Sequence, residues 1–283
     1  MNVPASDASS APSTFLYGAN LHANGIRQHY LRYGGERPGR DAVIIVPGIT
    51  SPAVTWGFVG ERFGREFDTY ILDVRGRGLS QAGPELDYGV RTQAQDVIAF
   101  AQALGLRNYN LVGHSMGARI GIHAAAARAP GLVRLVAVDP PVSGPGRRAY
   151  PANLPWYVDS IAQATQGMDA EAMRAFCPTW TEEQLRLRAE WLHTCDDRAI
   201  RQSFEEFHTV DVHADLPAVH VPLLLITAAR GEVVRDEDVD EIQSLKPGTR
   251  HVRVADAGHM IPWDNEGGFY AAFGDFLGAE LGA

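Results

Sequence analysis

Short apolar runs rich in β-branched residues recur along the chain and predict the strands of a sheet. Ala42–Val46 reads AVIIV, and Leu132–Val138 reads LVRLVAV. Nearly continuous runs of this kind are typical of strands whose two faces are both buried. The predicted strands are 15–21, 26–33, 42–46, 69–73, 109–112, 132–138, 222–228 and 249–254.

Helical patterns fill most of the intervals between these strands. The predicted helices of this regular part are 54–67, 88–104, 119–127, 236–245 and 267–277. Strands that alternate with helices of this length indicate βαβ units and a mostly parallel sheet. Residues 142–213 differ, because they carry three or four amphipathic helical stretches and no buried strand run. Thr181 and Gln184 form a predicted capping box at the start of one of those helices.

The net charge of −9 over 283 residues argues against non-specific binding to nucleic acid or to an anionic membrane, since both favour basic surfaces. No run approaches the roughly 18 apolar residues of a membrane span. Residues 1–14 are rich in Ser, Ala and Pro, lack the features of a signal peptide, and are predicted to be a disordered tail. Cys177 and Cys195 have no metal-ligand spacing, which indicates free thiols in a reducing, cytoplasmic compartment.

The strand predicted at 109–112 runs into Gly113–Gly117, which reads GHSMG, and the chain then enters a helix. Gly-x-Ser-x-Gly between a strand and a helix is the nucleophile elbow, a sharp turn that exposes the serine above the sheet. Ser115 is therefore the candidate nucleophile. The backbone N–H of Met116 follows it and is expected to point at a developing oxyanion. This pattern predicts a serine hydrolase.

Two motifs together resemble those of the α/β-hydrolase family. One is the elbow at Gly113–Gly117, and the other is Ala257–Trp263, whose string AGHMIPW is similar to the loop that carries the family's catalytic histidine. The resemblance implies an α/β fold with a mostly parallel central sheet, flanking helices and a helical cap inserted after the sixth strand. On this basis 15–141 and 214–283 are expected to form the core, and 142–213 the cap.

The resemblance also implies roles for individual residues. His259 follows the final strand, where the Ser–acid–His order of the fold places the general base. Pro47-Gly48-Ile49 follows the third strand, where many members of the family carry the second oxyanion donor directly after a glycine. Ile49 is therefore expected to donate its backbone N–H beside that of Met116.

The triad acid has two candidates. Most of the family carries it in the turn after the strand at 222–228, but Gly231 occupies that position here. Glu232 stands one residue further along, and Asp139 ends the sixth strand. We favour Asp139, because the task of the acid is to orient the histidine and stabilise its charged form, and this does not depend on chain order.

With Asp139 as the acid, the spacing is similar to a small subgroup of the family that hydrolyses acidic amides in nicotinate and vitamin B6 breakdown. This resemblance implies deformylation of N-formylmaleamate to maleamate and formate, with no metal or organic cofactor. A substrate that carries a carboxylate requires a cationic clamp, for which arginine is the best suited side chain. The candidate clamp residues are Arg147, Arg148 and Arg174.

Other activities on the same machinery stay open at this point: a carboxylesterase, a lactonase, a carbon–carbon bond hydrolase of aromatic catabolism, or a cofactor-free haloperoxidase-like reaction. A non-catalytic small-molecule receptor on the same fold is the alternative of another class. The presence of a candidate nucleophile, base, acid and both oxyanion positions argues against such a receptor. The oligomeric state does not follow from the sequence.

Overall fold

A computed structural model of the protein describes residues 12–282. Eight strands form one sheet at its centre. They are β1 (Phe15–Ala23), β2 (Ile26–Tyr33), β3 (Ala42–Val46), β4 (Thr69–Leu72), β5 (Tyr109–His114), β6 (Leu132–Val138), β7 (Leu223–Ala228) and β8 (Arg250–Val254). Their spatial order is β1-β2-β4-β3-β5-β6-β7-β8.

The first two strands form an antiparallel hairpin at one edge of the sheet, joined by the turn at Asn24 and Gly25, both of which have positive φ. β2 also runs antiparallel to β4, whereas every pairing from β4 through β8 is parallel. Asn-Gly is the dipeptide best suited to a tight hairpin turn, which explains the register of this pair. The predicted fold class, a mostly parallel α/β sheet, is confirmed.

Helices cover both faces of the sheet and follow the strands in the expected alternation. Those of the core are α1 (Gly57–Phe63), α2 (Val90–Ala103), α3 (Met116–Ala126), α8 (Asp236–Leu245), α9 (Ile261–Asp264) and α10 (Glu266–Ala271). Between β6 and β7 lie α4 (Leu154–Thr165), α5 (Ala170–Arg174), α6 (Glu182–Trp191) and α7 (Asp197–Thr209). No helix within residues 12–282 is long and apolar enough to span a membrane.

The continuous apolar strands lie at the middle of the sheet, as their composition predicted. β3 pairs with β4 on one side and β5 on the other, and Val43–Val46 have no exposed surface. Parallel strands covered on both faces tolerate few polar side chains, which accounts for the AVIIV run. Because the parallel strands end at the same edge, the loops after β3, β5 and β6 meet there.

Three predicted helix boundaries need correction. The segment 54–67 divides into a short 3-10 helix, Ala53–Trp56, and α1, because glycines interrupt it and glycine is a poor helix former. The final helix ends at Ala271 rather than residue 277, and Gly274 lies beyond it with positive φ, which a continuing helix does not adopt. The elbow helix begins at Met116, three residues before the predicted start.

The predicted disordered tail lies mostly outside the described residues, since residues 1–11 are not among them. The prediction is wrong for its last residues. The Ser13 hydroxyl donates to the Glu61 carboxylate at 2.5 Å, and the Thr14 backbone N–H donates to the same group at 2.6 Å. These bonds attach the chain to α1 directly before β1 begins.

Residues 142–213, the predicted cap, are called the cap from here on. The buried Arg119 joins this segment to the elbow helix, α3. The Arg119 guanidinium donates to the carbonyls of Pro141 and Ser143 at 2.9 and 3.1 Å, where the cap begins. It also donates to the carbonyls of Glu206 and Val210 at 3.0 and 2.5 Å, where the cap ends. Both ends of the cap are therefore held against α3, the helix that starts at Met116 directly after the candidate nucleophile.

Candidate active site

The elbow forms a strained turn that projects Ser115 from the end of β5. Ser115 has φ 55° and ψ −118°, a conformation that few residues other than glycine adopt. A Cβ at Gly117 would overlap the Val46 carbonyl oxygen, and one at Gly113 would overlap the Gly117 carbonyl oxygen. The two glycines are thus required by close backbone packing. The Ser115 N–H donates to the Val138 carbonyl at 2.8 Å, which fixes the turn to β6.

A continuous hydrogen-bonded chain joins the three side chains that the sequence proposed. The Oγ of Ser115 lies 3.0 Å from Nε2 of His259. On the other side of the ring, Nδ1 of His259 lies 2.7 Å from Oδ2 of Asp139. If Nδ1 carries its proton toward the carboxylate, Nε2 is free to accept the proton of the serine hydroxyl. Base and nucleophile are within hydrogen-bond reach, as proton transfer requires.

Asp139 is fully buried at the end of β6, and its backbone also has a positive φ, 46°. Its second carboxylate oxygen, Oδ1, accepts the backbone N–H of Ala228 at 3.2 Å. The carboxylate therefore has a donor on each oxygen. A Cβ built on Gly231 would lie 3.7 Å from Oδ2 of Asp139, so the turn after β7 passes directly beside this carboxylate.

The alternative acid, Glu232, is placed elsewhere. Its carboxylate binds the Arg235 guanidinium, with Oε2 at 2.5 Å from Nη2, and its side chain is about two-thirds exposed. The residue lines the cavity mouth but has no hydrogen bond to His259 among the described residues. The geometry thus favours Asp139 as the partner of the histidine.

His114, the second residue of the GHSMG motif, supports the histidine loop. Its Nε2 donates to the His259 backbone carbonyl at 2.9 Å, and the two rings pack with centroids 5.0 Å apart. Burial, together with the neighbouring His259, lowers the pKa of His114 to about 3. The ring is therefore neutral at physiological pH and acts as a fixed donor. Within the histidine loop itself, the Gly258 N–H donates to the Asp264 carboxylate at 2.8 Å, which further stabilises the loop.

The two expected oxyanion donors belong to the segments beside the serine, the loop after β3 and the start of α3. Met116 is the first residue of α3, whose N-terminal N–H groups are free of helical partners. Ile49 lies in the loop after β3 and lines the cavity. The buried Arg77 guanidinium donates to the Ile49 carbonyl at 3.0 Å and contacts the Met116 sulfur at 3.5 Å. This arginine, together with the Ser203 hydroxyl it binds in the cap, holds the loop in place.

A cavity of about 550 Å³ opens above Ser115. Its walls come from the loop after β3, the first part of the cap, α6 and the histidine loop. Most of the wall is aromatic or apolar, and it includes Tyr150, Trp156, Tyr157 and Trp180. Its volume suits a small molecule, and an apolar wall with a few polar groups is typical of such sites.

None of the three arginines proposed as a substrate clamp lines this cavity. Arg147 is paired with Asp211 and Glu241, Arg148 with Asp238, and Arg174 with Glu171 and Glu182. Each guanidinium is thus paired with at least one carboxylate outside the cavity. The structure does not bring them to the serine.

Arg188 of α6 occupies the cavity instead. It is 3% exposed, and within residues 12–282 it pairs with no carboxylate. Its two terminal nitrogens donate to the carbonyl and hydroxyl oxygens of Thr50, both at 3.0 Å. Its Nε has no hydrogen-bond partner among the described residues, and its guanidinium lies 5.6 Å from the Trp180 ring centroid. A buried cation with spare donor capacity is suited to an anionic ligand.

Sequence reasoning missed Arg188 although a signal was present. In α6 the buried positions are Leu185, Arg188 and Ala189, so the arginine stands on the apolar face of an amphipathic helix. Charged residues are rarely fully buried without a partner, and this position is therefore the exception to examine. Tyr150, which also lines the cavity, could not be identified from the sequence in this way, because buried tyrosines are common.

Ser115, His259 and Asp139 form one hydrogen-bonded chain at the carboxyl edge of the parallel sheet. This arrangement is typical of serine hydrolases. Residues 41–266 match the family described as the alpha/beta hydrolase fold. The chain belongs to this α/β-hydrolase family.

Two relatives and one solved structure show which members of the family this chain is similar to. The chain is 65% identical over 269 residues to N-formylmaleamate deformylase of Pseudomonas putida, a match that covers 95% of this chain and 99% of that protein. It is 28% identical over 241 residues to 2-(acetamidomethylene)succinate hydrolase of Mesorhizobium japonicum, covering 80% and 84%. A crystal structure of a serine-to-alanine variant of N-formylmaleamic acid deformylase from Pseudomonas putida superposes with a TM-score of 0.86, 50% identity, and coverage of 90% and 99%.

Proposed function

We propose that this protein hydrolyses N-formylmaleamate to maleamate and formate in nicotinate catabolism, with a Ser-His-Asp triad. The observation that carries the proposal is the hydrogen-bonded chain of Ser115, His259 and Asp139 below a cavity that holds Arg188. The near full-length likeness to a deformylase supports the choice of substrate.

In the first half-reaction, Nε2 of His259 takes the proton of Ser115 as Oγ attacks the formyl carbon. The carbonyl oxygen becomes an oxyanion, held by the backbone N–H groups of Ile49 and Met116. Asp139 keeps the imidazole in the correct tautomer and stabilises its positive charge. The tetrahedral intermediate then breaks its carbon–nitrogen bond, and His259 returns the proton to the departing maleamate nitrogen.

In the second half-reaction, a water molecule replaces maleamate beside His259. The histidine takes one proton of this water, and the resulting oxygen nucleophile attacks the formyl group on Ser115. The oxyanion is held by the same two backbone donors. Collapse of this intermediate breaks the ester bond, the proton returns from His259 to Oγ, and formate leaves. These steps use water and groups of the chain itself.

The substrate carboxylate is proposed to bind Arg188. Arg188 and Arg230 are the arginines that line the cavity within the described part of the chain, and Arg230 is exposed at its mouth, where it donates to the Asp256 carbonyl. Arg188 is buried beside Thr50, the residue that follows Ile49, so a bound carboxylate would anchor the substrate close to the oxyanion loop. This assignment replaces Arg147, Arg148 and Arg174.

Formate release from N-formylmaleamate by the purified protein tests the proposal. We expect formate and maleamate in equal amounts, and we expect Ser115→Ala to abolish the reaction while thermal unfolding stays close to that of the unmodified protein. Hydrolysis of simple aryl esters without formate release from N-formylmaleamate would contradict the deformylase assignment and favour an esterase. If Ser115→Ala is as active as the unmodified protein, Ser115 is not the nucleophile.

A further inference from the structure

The leaving group of the proposed substrate poses a problem that the triad and the oxyanion donors do not solve. The nitrogen that departs is bonded to a second carbonyl, that of the maleamyl half. When its bond to the formyl carbon breaks, the electron pair spreads onto this second carbonyl oxygen. The donors at Ile49 and Met116 serve the formyl oxygen, so a separate donor is needed for the leaving group.

The hydroxyl of Tyr150 lies where such a donor is needed. It is 3.4 Å from Nε2 of His259, the atom that faces Ser115 and returns a proton to the departing nitrogen. The maleamyl oxygen is only two bonds from that nitrogen, so a hydroxyl beside Nε2 is within reach of it. Tyr150 lines the cavity and is 6% exposed.

Packing fixes the direction of this hydroxyl. The Tyr150 ring contacts Phe207 and Phe204 of α7, with centroids 4.9 and 6.2 Å away. Its hydroxyl also lies 3.4 Å from the hydroxyl of Tyr157, which is itself buried and lines the same cavity. Tyr157 can donate to Tyr150, which leaves the Tyr150 proton free to point at a substrate oxygen.

Both phenols stay protonated under the conditions of the reaction. Burial raises the pKa of Tyr150 well above its ordinary value, and burial likewise raises the pKa of Tyr157. Neither group therefore competes with His259 as a base. Their contribution is restricted to hydrogen bonding.

We propose that Tyr150, supported by Tyr157, donates a hydrogen bond to the carbonyl oxygen of the leaving amide, and that it selects N-formyl imides over N-formyl amines. The inference rests on the proposed function. As the carbon–nitrogen bond breaks, its electron pair moves into the nitrogen–carbon–oxygen unit of the leaving group. His259 supplies the proton to nitrogen, and Tyr150 keeps its own. An N-formyl amine has no second carbonyl and gains nothing from this donor.

The test compares leaving groups that need this donor with one that does not. We expect Tyr150→Phe to lower kcat about 100-fold on N-formylmaleamate, as the loss of one oxyanion donor does elsewhere. On p-nitrophenyl formate, whose leaving group needs no assistance, the same variant should remain within about threefold of the unmodified protein. Tyr157→Phe should show a smaller loss with the same preference.

Tyr109→Phe is the matched control, because its hydroxyl is buried without a hydrogen-bond partner among the described residues, at the start of β5. It should leave both activities unchanged. Equal losses on both substrates in Tyr150→Phe, or no loss on either, would overturn the inference. If the unmodified protein releases no formate from N-formylmaleamate, the proposed function fails instead. The same comparison is then made with diformamide, an imide without a carboxylate, and the same two outcomes decide it.

Discussion

Replacement of Arg188 by methionine tests whether the buried cation of the cavity binds the substrate carboxylate. Methionine keeps an unbranched apolar chain against Trp180 but removes the charge and all five N–H donors. A hydrogen bond to a charged group contributes about 1.5–3 kcal/mol, and a carboxylate on the guanidinium makes two. The terminal nitrogens already donate to Thr50, and a bound carboxylate must share them.

We therefore expect a net loss of about 3 kcal/mol in transition-state binding, at the low end of two such bonds. Since about 1.4 kcal/mol corresponds to a factor of ten, kcat/KM on N-formylmaleamate should fall about 100-fold. The loss should appear in KM if the carboxylate is bound equally in ground and transition states. Arg188→Lys should recover part of it, because it keeps the charge without the planar fork.

The assay measures kcat/KM for N-formylmaleamate and for its methyl ester, which lacks the charge. The unmodified protein should prefer the acid, and Arg188→Met should lose that preference while keeping its activity on the ester. Equal losses on acid and ester would show that Arg188 supports the Thr50 loop and does not bind the substrate carboxylate. Thermal unfolding of each variant measures that structural contribution separately.

Three further predictions concern the triad, the elbow and the response to acid. Asp139→Asn should lower kcat at least about 1,000-fold, because the amide neither holds His259 in the required tautomer nor stabilises its positive charge. Glu232→Gln should stay within about twofold, and steady-state kinetics of both variants decide the acid. Gly117→Ala should lower the free energy of unfolding by more than about 3 kcal/mol in urea titrations, since its Cβ would overlap the carbonyl that ends β3. Gly267→Ala is the control, because this glycine lies in α10 with open space around it, and it should leave the free energy of unfolding unchanged or raise it by up to about 1 kcal/mol. In the unfolded chain His114 binds a proton below its ordinary pKa of 6.5, whereas the folded ring does so only near pH 3. Protonation between pH 7 and pH 5 therefore favours the unfolded state, and this residue should lower the unfolding free energy by about 2 kcal/mol over that range. Urea titrations should show a smaller fall in His114→Gln.

The sheet and the elbow could be predicted because their signals are local. Runs such as AVIIV at 42–46 carry the burial of a central strand in their composition, and six of the eight strand starts match the structure to the residue. Gly113–Gly117 is recognisable because glycine is required wherever the backbones pack closely. His259 could be predicted because the catalytic residues of this fold follow a fixed order along the chain, with the histidine after the last strand.

The choice of acid was harder, because it depends on which loops meet in space. Gly231 and Asp139 belong to neighbouring strands, and their loops lie side by side at the edge of the sheet. A carboxylate from either loop reaches the histidine, so chain position alone does not decide between them. The distances to His259 favour Asp139.

The substrate-binding residues could not be predicted, because the direction of a side chain in the cap depends on helix packing. Arg147 and Arg148 stand at the entrance of the cap in sequence, yet carboxylates of α8 hold them away from the cavity. Arg188 stands among the buried residues of α6 and turns inward. The place of the Tyr150 hydroxyl depends in the same way on the packing of its ring against α7.

A crystal structure of Ser115→Ala with N-formylmaleamate bound would show directly whether the site binds this substrate in the orientation that deformylation requires. We expect the formyl carbon above residue 115, with its oxygen within hydrogen-bond distance of the backbone N–H groups of Ile49 and Met116. The maleamyl oxygen should lie at Tyr150 and the carboxylate on Arg188. A substrate bound with its carboxylate toward residue 115, or with its formyl group away from the oxyanion donors, would contradict deformylation by Ser115.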